Sequence, residues 1–268
     1  MEDGDVRTIV EAVFGYRTSR AVVKYILSHA EGLQIDVRIV WNEKQKLVKL
    51  NIPAAFQTEH CIGEQAYGQE ILKNSMEENV SQKYIVMQNV EKDSGILVMN
   101  NGVYGSSFDE QNSSLKITLL RSPSYCAHPL DGRITMPQNR YMPYIEQGER
   151  DFSFRLCFGS CQKLLNKAAR DAQEFNMQPM MLSFYPTGLG NIPACPLQLC
   201  DTEIIQLTTF KKAECGDGYL VRLFNPTSEE QTAQILFGNQ MRKLSFHKYE
   251  IKTICCSNED IFETDLCI

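Results

Sequence analysis

A mostly-β chain is what this sequence predicts: a large antiparallel β-sandwich carrying one helix, followed by a smaller C-terminal β-sandwich. Three observations lead there. Runs of four to ten residues rich in Val, Ile, Phe, Tyr and Thr recur along nearly all of the 268 residues, several with strict alternation of apolar and polar positions. Clusters of Gly, Asn, Asp, Ser and Pro separate them. One segment only, residues 160–175, has helical spacing, with Leu164, Leu165, Ala168, Ala169, Ala172 and Phe175 on one stripe and Ser160 as its N-cap.

The elements follow in order. Residues 6–14, 21–27, 33–40 and 47–52 read as strands, and in Leu33-Gln34-Ile35-Asp36-Val37-Arg38-Ile39 the period of two predicts one buried and one wet face. Turns fall at Thr18-Ser19, His29-Ala30-Glu31-Gly32 and Asn42-Glu43-Lys44-Gln45, and Pro53 ends the fourth run because it has no amide to donate. Residues 61–68 and 82–90 are weaker strands around a charged loop at 73–79. Residues 95–99 form a clear strand, after which Asn100-Asn101-Gly102 predicts a tight hairpin turn.

The organising stretch is 104–156. It opens on a predicted turn at 104–107, continues as a strand at 114–120 that ends in Arg121-Ser122-Pro123, and crosses a Pro- and Gly-bearing loop of about 25 residues. It then re-enters a strand at 151–158. After the helix, 180–184 reads as a strand, and 186–198, with three prolines, as a linker. The chain therefore divides into a large sandwich at 1–190 and a small one at 197–268, the latter with strands at 204–210, 219–224, 232–236 and 249–256. Residues 257–268 are acidic and aperiodic, a tail or a docked strand.

Composition bounds the function. A hydrophobic fraction of 43% and a charged fraction of 22% are those of a globular chain with a sizeable core. A net charge of −6 argues against a nucleic-acid groove, which shows a basic excess. No apolar run approaches the ~20 residues of a membrane span, and the first twenty residues lack the apolar core of a signal peptide, so a cytoplasmic location is the expectation. Ten cysteines without an export signal read as reduced, mostly buried thiols. Cys157-x3-Cys161 and Cys195-x4-Cys200 depart from the paired C-x2-C spacing of structural zinc, and Cys157 falls in a strand pattern, so no metal is assigned to them.

Few side chains offer chemistry. The histidines, His29, His60, His128 and His247, accompany no G-x-S-x-G elbow or catalytic-cysteine signature, and H-E-x-x-H, P-loop and G-x-G-x-x-G elements are missing from the sequence. Asp131, Glu146, Glu149 and Asp151 gather in or near the long loop. Paired carboxylates drive glycoside cleavage, but surface acids cluster commonly, and the surface reading is preferred. Arg121 is the singular candidate. A guanidinium at a strand end can donate to sugar hydroxyls or hold a neighbouring carboxylate, the two readings standing nearly equal. Tyr125, Tyr141 and Tyr144 flank the same loop as stacking or packing residues.

These residues also carry a resemblance. The run NNGVYGSSFDEQNSSLKITLLRSPSYCAHPLDGR (101–133) and PQNRYMPYIEQGERDFSFRL (137–156) resemble the C-terminal β region of glycoside hydrolase family 38 α-mannosidases of the bacterial type. So do DVRTIVEAVFGYRTSRAVVKYIL (5–27), WNEKQKLVKLNIP (41–53), QPMMLSFYPTG (178–188), FKKAECGDGYLVRLFNPTSEEQTAQI (210–235) and FHKYEIKTI (246–254). The likeness covers nearly all of 5–254, and the combination of Leu120-Arg121-Ser122-Pro123 with Gly148-Glu149 is its most specific part.

The resemblance implies a retaining, metal-dependent parent whose zinc ligands, nucleophile and acid lie in an N-terminal α/β domain followed by a helical bundle. No such motif occurs here, so no catalytic residue and no metal ligand is carried over. Zinc or another divalent ion is expected only in the missing catalytic domain. The expected role is a non-catalytic portion that supports the glycan-facing wall of that domain, with Arg121 approaching the sugar pocket. The expected partners are the N-terminal catalytic domain, a mannose-containing glycan and, through unpaired strand edges, a homo-oligomer. Two rival readings are a stand-alone carbohydrate-binding module and a self-sufficient hydrolase using the loop carboxylates.

Overall fold

The computed structural model describes residues 1–28, 32–74, 77–124, 143–177, 179–183, 185, 188, 196–214, 218–257 and 259–265. In chain order the strands are β1 (Glu2–Asp3), β2 (Arg7–Tyr16), β3 (Ser19–Ser28), β4 (Gly32–Trp41), β5 (Leu47–Pro53), β6 (His60–Gln65), β7 (Gly68–Ile71), β8 (Asn79–Val80), β9 (Tyr84–Asn89) and β10 (Ser94–Asn100). They continue with β11 (Gly105–Asp109), β12 (Ser114–Arg121) and β13 (Gly148–Gly159), then the helix α1 (Cys161–Asn176). The last strands are β14 (Leu197–Cys200), β15 (Gln206–Lys212), β16 (Tyr219–Phe224), β17 (Gln231–Phe237), β18 (Gln240–Phe246), β19 (Ile251–Cys256) and β20 (Ile261–Thr264). The chain forms two compact units. One comprises 1–63 with 71–164, the other 165–268 with 64–70.

The first unit is a sandwich of antiparallel strands. Its part of the large sheet runs β1-β2-β3-β4-β13-β10-β9-β6, and its small sheet is β5-β12-β11-β8. The predicted alternation in β4 sets the register: Ile35 lies opposite Phe154 and Val37 opposite Phe152, with Val23 on the other side of Val37. Those side chains share one face and meet Phe108, Leu115 and Ile117 from the small sheet in a single core. Phe108, Leu115 and Phe154 have no exposed surface.

One irregularity in this sandwich sets which way a candidate residue faces. Along β12, Ile117 is buried in the core while Thr118, opposite Lys49, points to the wet face. A strict period of two would send Arg121 inward with Ile117. Instead the ladder shifts between Thr118 and Leu120, so that Leu120 faces the core opposite Val48 and Arg121 emerges on the wet face opposite Leu47. This is a β-bulge re-aiming a side chain.

Four sequence expectations are corrected. Residues 104–107 are not a turn: β11 occupies most of them, and its Ser106 and Ser107 are buried opposite Ile117 and Lys116. Asn100-Asn101-Gly102 is not a hairpin. β10 belongs to the large sheet and β11 to the small one, so this step carries the chain across the sandwich. There the Asn100 side-chain oxygen accepts the Gly102 and Val103 amides at 2.9 and 2.8 Å, with Gly102 at φ 121°. Residues 180–183 are not strand, and Met180, Met181 and Leu182 are almost fully exposed, because this apolar run finds no ladder to join; Phe184 lies outside the described residues. The strand β18 was not anticipated at all.

The second unit is also a two-sheet sandwich, β14-β17-β18 on β15-β16-β19-β20. Val221, Leu223, Ile235, Phe246 and Ile254 fill its core. Residues 257–268 include a docked strand, β20, paired with β19. The helix starts where expected. Its first amide, that of Cys161, is capped by Asp93 Oδ1 at 2.9 Å, an acid held at φ 44°. Its buried stripe is Leu164, Ala168, Ala169 and Ala172. Among the described residues no helix is long and apolar enough to cross a membrane.

Candidate functional site

At one end of the large sandwich three connections converge: the β2–β3 turn, the β4–β5 loop and the ends of the β12–β13 loop. Ser122 ties two of them together. It has no exposed surface, and its hydroxyl accepts from Trp41 Nε1 at 3.1 Å and from the Lys46 amide at 3.3 Å. The backbone around it is locked as well, Gln45 N donating to Ser122 O at 2.7 Å and Ser122 N to Lys46 O at 2.8 Å. Trp41 in turn stacks on Tyr16, centroids 6.3 Å apart and planes within 12°.

Glu43 ties in the third. Its side chain is nearly buried, and Oε1 accepts from the Thr18 amide at 3.1 Å and the Thr18 hydroxyl at 3.0 Å, with Arg17 Nη1 3.7 Å from Oε2. Burial pushes this carboxyl's pKa up, but the Thr18 donors, the Arg17 charge and the Ser19 hydroxyl outweigh it and hold the group below its ordinary range. Gln147 closes the ring by donating from Nε2 to the Asn42 and Glu43 carbonyls, both at 3.2 Å.

Among the described residues each of the three connections holds one non-glycine residue in the left-handed region: Arg17 at φ 53°, Gln45 at 53° and Glu146 at 54°. Such conformations cost about 1–3 kcal/mol each and persist where the surroundings over-determine them. The hydrogen bonds just described supply that constraint.

The result is a donor-rich rim. Arg17, Lys44, Lys46 and Arg121 are exposed, whereas Glu43 is buried and Glu146 is half-buried. Glu146 Oε2 accepts the Arg121 amide at 2.6 Å. Lys44 Nζ lies 5.0 Å from the Tyr144 ring centre, and Arg17 Cζ 5.4 Å from that of Tyr16. Arg121 also borders an open cleft on the wet face of the small sheet, walled by Leu47, Val80, Thr118 and Pro123. Glu78 in that cleft is taken up by Lys49 and by the Thr118 hydroxyl.

Of the sequence candidates, the structure brings Arg121, Tyr144 and Glu146 together here. Tyr125, His128, Asp131 and Tyr141 lie outside the described residues, as do His29, Cys126, Cys195, Cys215 and Cys267. Glu149 and Asp151 sit elsewhere, on the wet face of the large sheet, flanking Arg38: Glu149 hydrogen-bonds its Nε and Asp151 lies 4.0 Å away. His60 is a partly buried residue of β6, and exposed His247 faces Glu230 at 3.1 Å. Cys161 Sγ contacts the Ser94 and Asn89 carbonyls at 3.2 and 3.4 Å. Burial pushes the Cys61 thiol far up and, with Cys255 beside it, that of Cys256 to about 11. Among the described residues no three His, Cys, Asp or Glu side chains are placed to hold a metal ion. Arg17, Glu43, Trp41 and Ser122 escaped the sequence reading. The signals available were a lone tryptophan at the end of a strand and a serine between Arg and Pro.

Residues 1–139 match the model of the glycosyl hydrolases family 38 C-terminal domain. Among solved structures the fold is similar to an α-mannosidase from Enterococcus faecalis V583, with a TM-score of 0.70 at 16% identity, over 88% of this chain and 28% of that one. It is also similar to a glycosyl hydrolase family 38 protein from Enterococcus faecalis, with a TM-score of 0.71 at 16% identity, over 88% of this chain and 29% of that one. The chain thus spans less than a third of the length of either. No curated protein matches it.

Proposed function

Because the chain belongs to the family of glycosyl hydrolase family 38 C-terminal domains, we propose that it is the non-catalytic C-terminal portion of an α-mannosidase and that its loop rim borders the sugar pocket of the catalytic domain. The complete enzyme hydrolyses terminal α-mannosides. This portion, a large sandwich followed from about residue 197 by a small one, supports the pocket wall. The observation that carries the reading is the bulge in β12, which turns Arg121 out of the core and onto the rim. Its backbone is held by Glu146, so the guanidinium projects from a fixed base.

A guanidinium there donates several hydrogen bonds in one plane and suits the vicinal hydroxyls of a hexose. Zinc, if the parent uses it, is held by the catalytic domain and not by residues of the rim.

The test is Arg121→Ala in protein that contains the catalytic domain. Loss of charge-assisted hydrogen bonds of about 1.5–3 kcal/mol corresponds to a fall in kcat/KM of roughly tenfold or more. An unchanged kcat/KM removes Arg121 from the pocket. Saturable binding of mannose-bearing glycans by the isolated chain, abolished by the same substitution, would instead make the rim a self-standing binding site.

A further inference from the structure

The sequence contains a single Asn-Gly step, Asn101-Gly102. It lies where the chain leaves β10 and crosses to the small sheet. Glycine is needed there, because at φ 121° any side chain would strain the backbone. Asparagine is used there as well: Asn101 Oδ1 accepts the Ser153 amide of β13 at 3.0 Å. The geometry therefore imposes a chemically unstable pair. In an Asn-Gly step no side chain hinders the glycine nitrogen from approaching the asparagine carboxamide carbon.

Asn100 stands in the way of that attack. Its Oδ1 accepts the Gly102 amide at 2.9 Å and the Val103 amide at 2.8 Å, and its Nδ2 donates to the Gln82 carbonyl at 2.9 Å, which fixes the acceptor in place. Only 2% of Asn100 is exposed, so water competes little for these bonds. The Gly102 nitrogen must lose its proton to become a nucleophile, and a hydrogen bond donated by the neutral amide opposes that loss. The carboxamide under attack is held too, through its bond from Ser153.

We propose that Asn101 is a spontaneous modification site closed by Asn100. When Asn100 lets go, Gly102 N forms a bond to Asn101 Cγ, the Cγ–Nδ2 bond breaks, and ammonia leaves with the amide proton. Water then opens the five-membered ring at one of its two carbonyls. One opening leaves Asp at 101, and the other its isomer, in which the backbone runs through the side chain. Water is the only co-reactant. Either product puts a carboxylate on the open cleft that Asp36 and Asp151 also border. The isomer further lengthens the backbone between two strands whose registers are set by their own sheets. The proposal does not depend on the mannosidase reading.

Mass spectrometry of the full 268-residue chain tests it. The chain is held at mildly alkaline pH, folded in buffer or unfolded in urea, and the peptide carrying residue 101 is weighed over time for exchange of amide for acid. Conversion in urea is expected to outrun that of the folded wild type by roughly tenfold or more. Folded Asn100→Ala, which lacks the acceptor, should convert roughly tenfold faster than the folded wild type. Asn100→Asp keeps an oxygen at that place and should stay near the wild-type rate. A folded wild type that converts as fast as in urea, a folded Asn100→Ala no faster than the wild type, or an Asn100→Asp as fast as Asn100→Ala overturns the proposal. If Asn100→Ala fails to fold, hydrogen exchange at the Gly102 amide of the wild type decides. Exchange slowed against an open amide supports the lock, and exchange at the open rate overturns it.

Discussion

Ser122 shows how much one small side chain can organise. A hydroxyl with no exposed surface serves the indole of Trp41 and the amide of Lys46, and the residue's own backbone pins the β4–β5 loop. Ser122→Ala keeps the shape but strands the indole N–H, so unfolding in urea should lose about 1–3 kcal/mol. The only tryptophan of the chain reports the same event through a changed emission spectrum. Asp109 makes a second, electrostatic prediction. Hydrogen bonds from Asn112 and Lys116 hold its pKa at about 2. A folded-state pKa below the unfolded value of about 3.9 adds stability at higher pH, and that contribution is lost as pH falls from about 4 through about 2. In Asp109→Asn the acid limb of the melting-temperature curve should accordingly be shallower, with the largest difference from the wild type at neutral pH.

Among the elements, β12 joins fold to function, because its bulge decides which way Arg121 faces. Deleting Leu119 would take out the extra residue and leave a strict period of two in which Ile117 and Leu120 face inward and Thr118 and Arg121 outward. The deletion should therefore keep Arg121 on the rim, so that in protein with a catalytic domain it costs far less activity than Arg121→Ala does, while loss of the packing of Leu119 against the core lowers the melting temperature. A deletion variant as inactive as Arg121→Ala would mean that this alternation does not set the direction of the arginine. Much of this scale is legible in sequence. The alternation at 33–39 gives β4 its inner face, and the apolar spacing at 160–175 gives the helix. What escapes is what does not repeat locally. Buried Ser106 and Ser107 look like turn residues until Ile117 and Lys116 are set opposite them. β18 shows only Leu244 and Phe246 to its core among polar neighbours, yet the Gly238-Asn239 step closing its hairpin, with Gly238 at φ 58°, was readable. In the site, Arg121 stands out as a cation ending a strand, whereas Trp41 and Ser122 are 81 positions apart and no sequence window holds both.

At the scale of the whole molecule the question is whether the acids of this chain cleave a glycoside by themselves. A retaining mechanism needs two carboxyl groups about 5–5.5 Å apart across the bond, one ionised and one protonated, both open to the sugar. The described carboxylates near the long loop are otherwise engaged. Glu43 is folded onto Thr18 and kept ionised, Glu146 holds the Arg121 amide, and Glu149 and Asp151 share the cation of Arg38. For Glu43 the Thr18 donors and the Arg17 charge lower the pKa, the opposite of what a general acid requires. The isolated chain, folded by its melting curve, is therefore expected to release no aryl product from an aryl α-mannoside, with or without added zinc. Glu146→Gln and Asp151→Asn should then leave that null rate where it is. Turnover above the buffer rate that either substitution abolishes would make this chain a hydrolase in its own right and replace the proposed role of the rim as a pocket wall with that of the pocket itself.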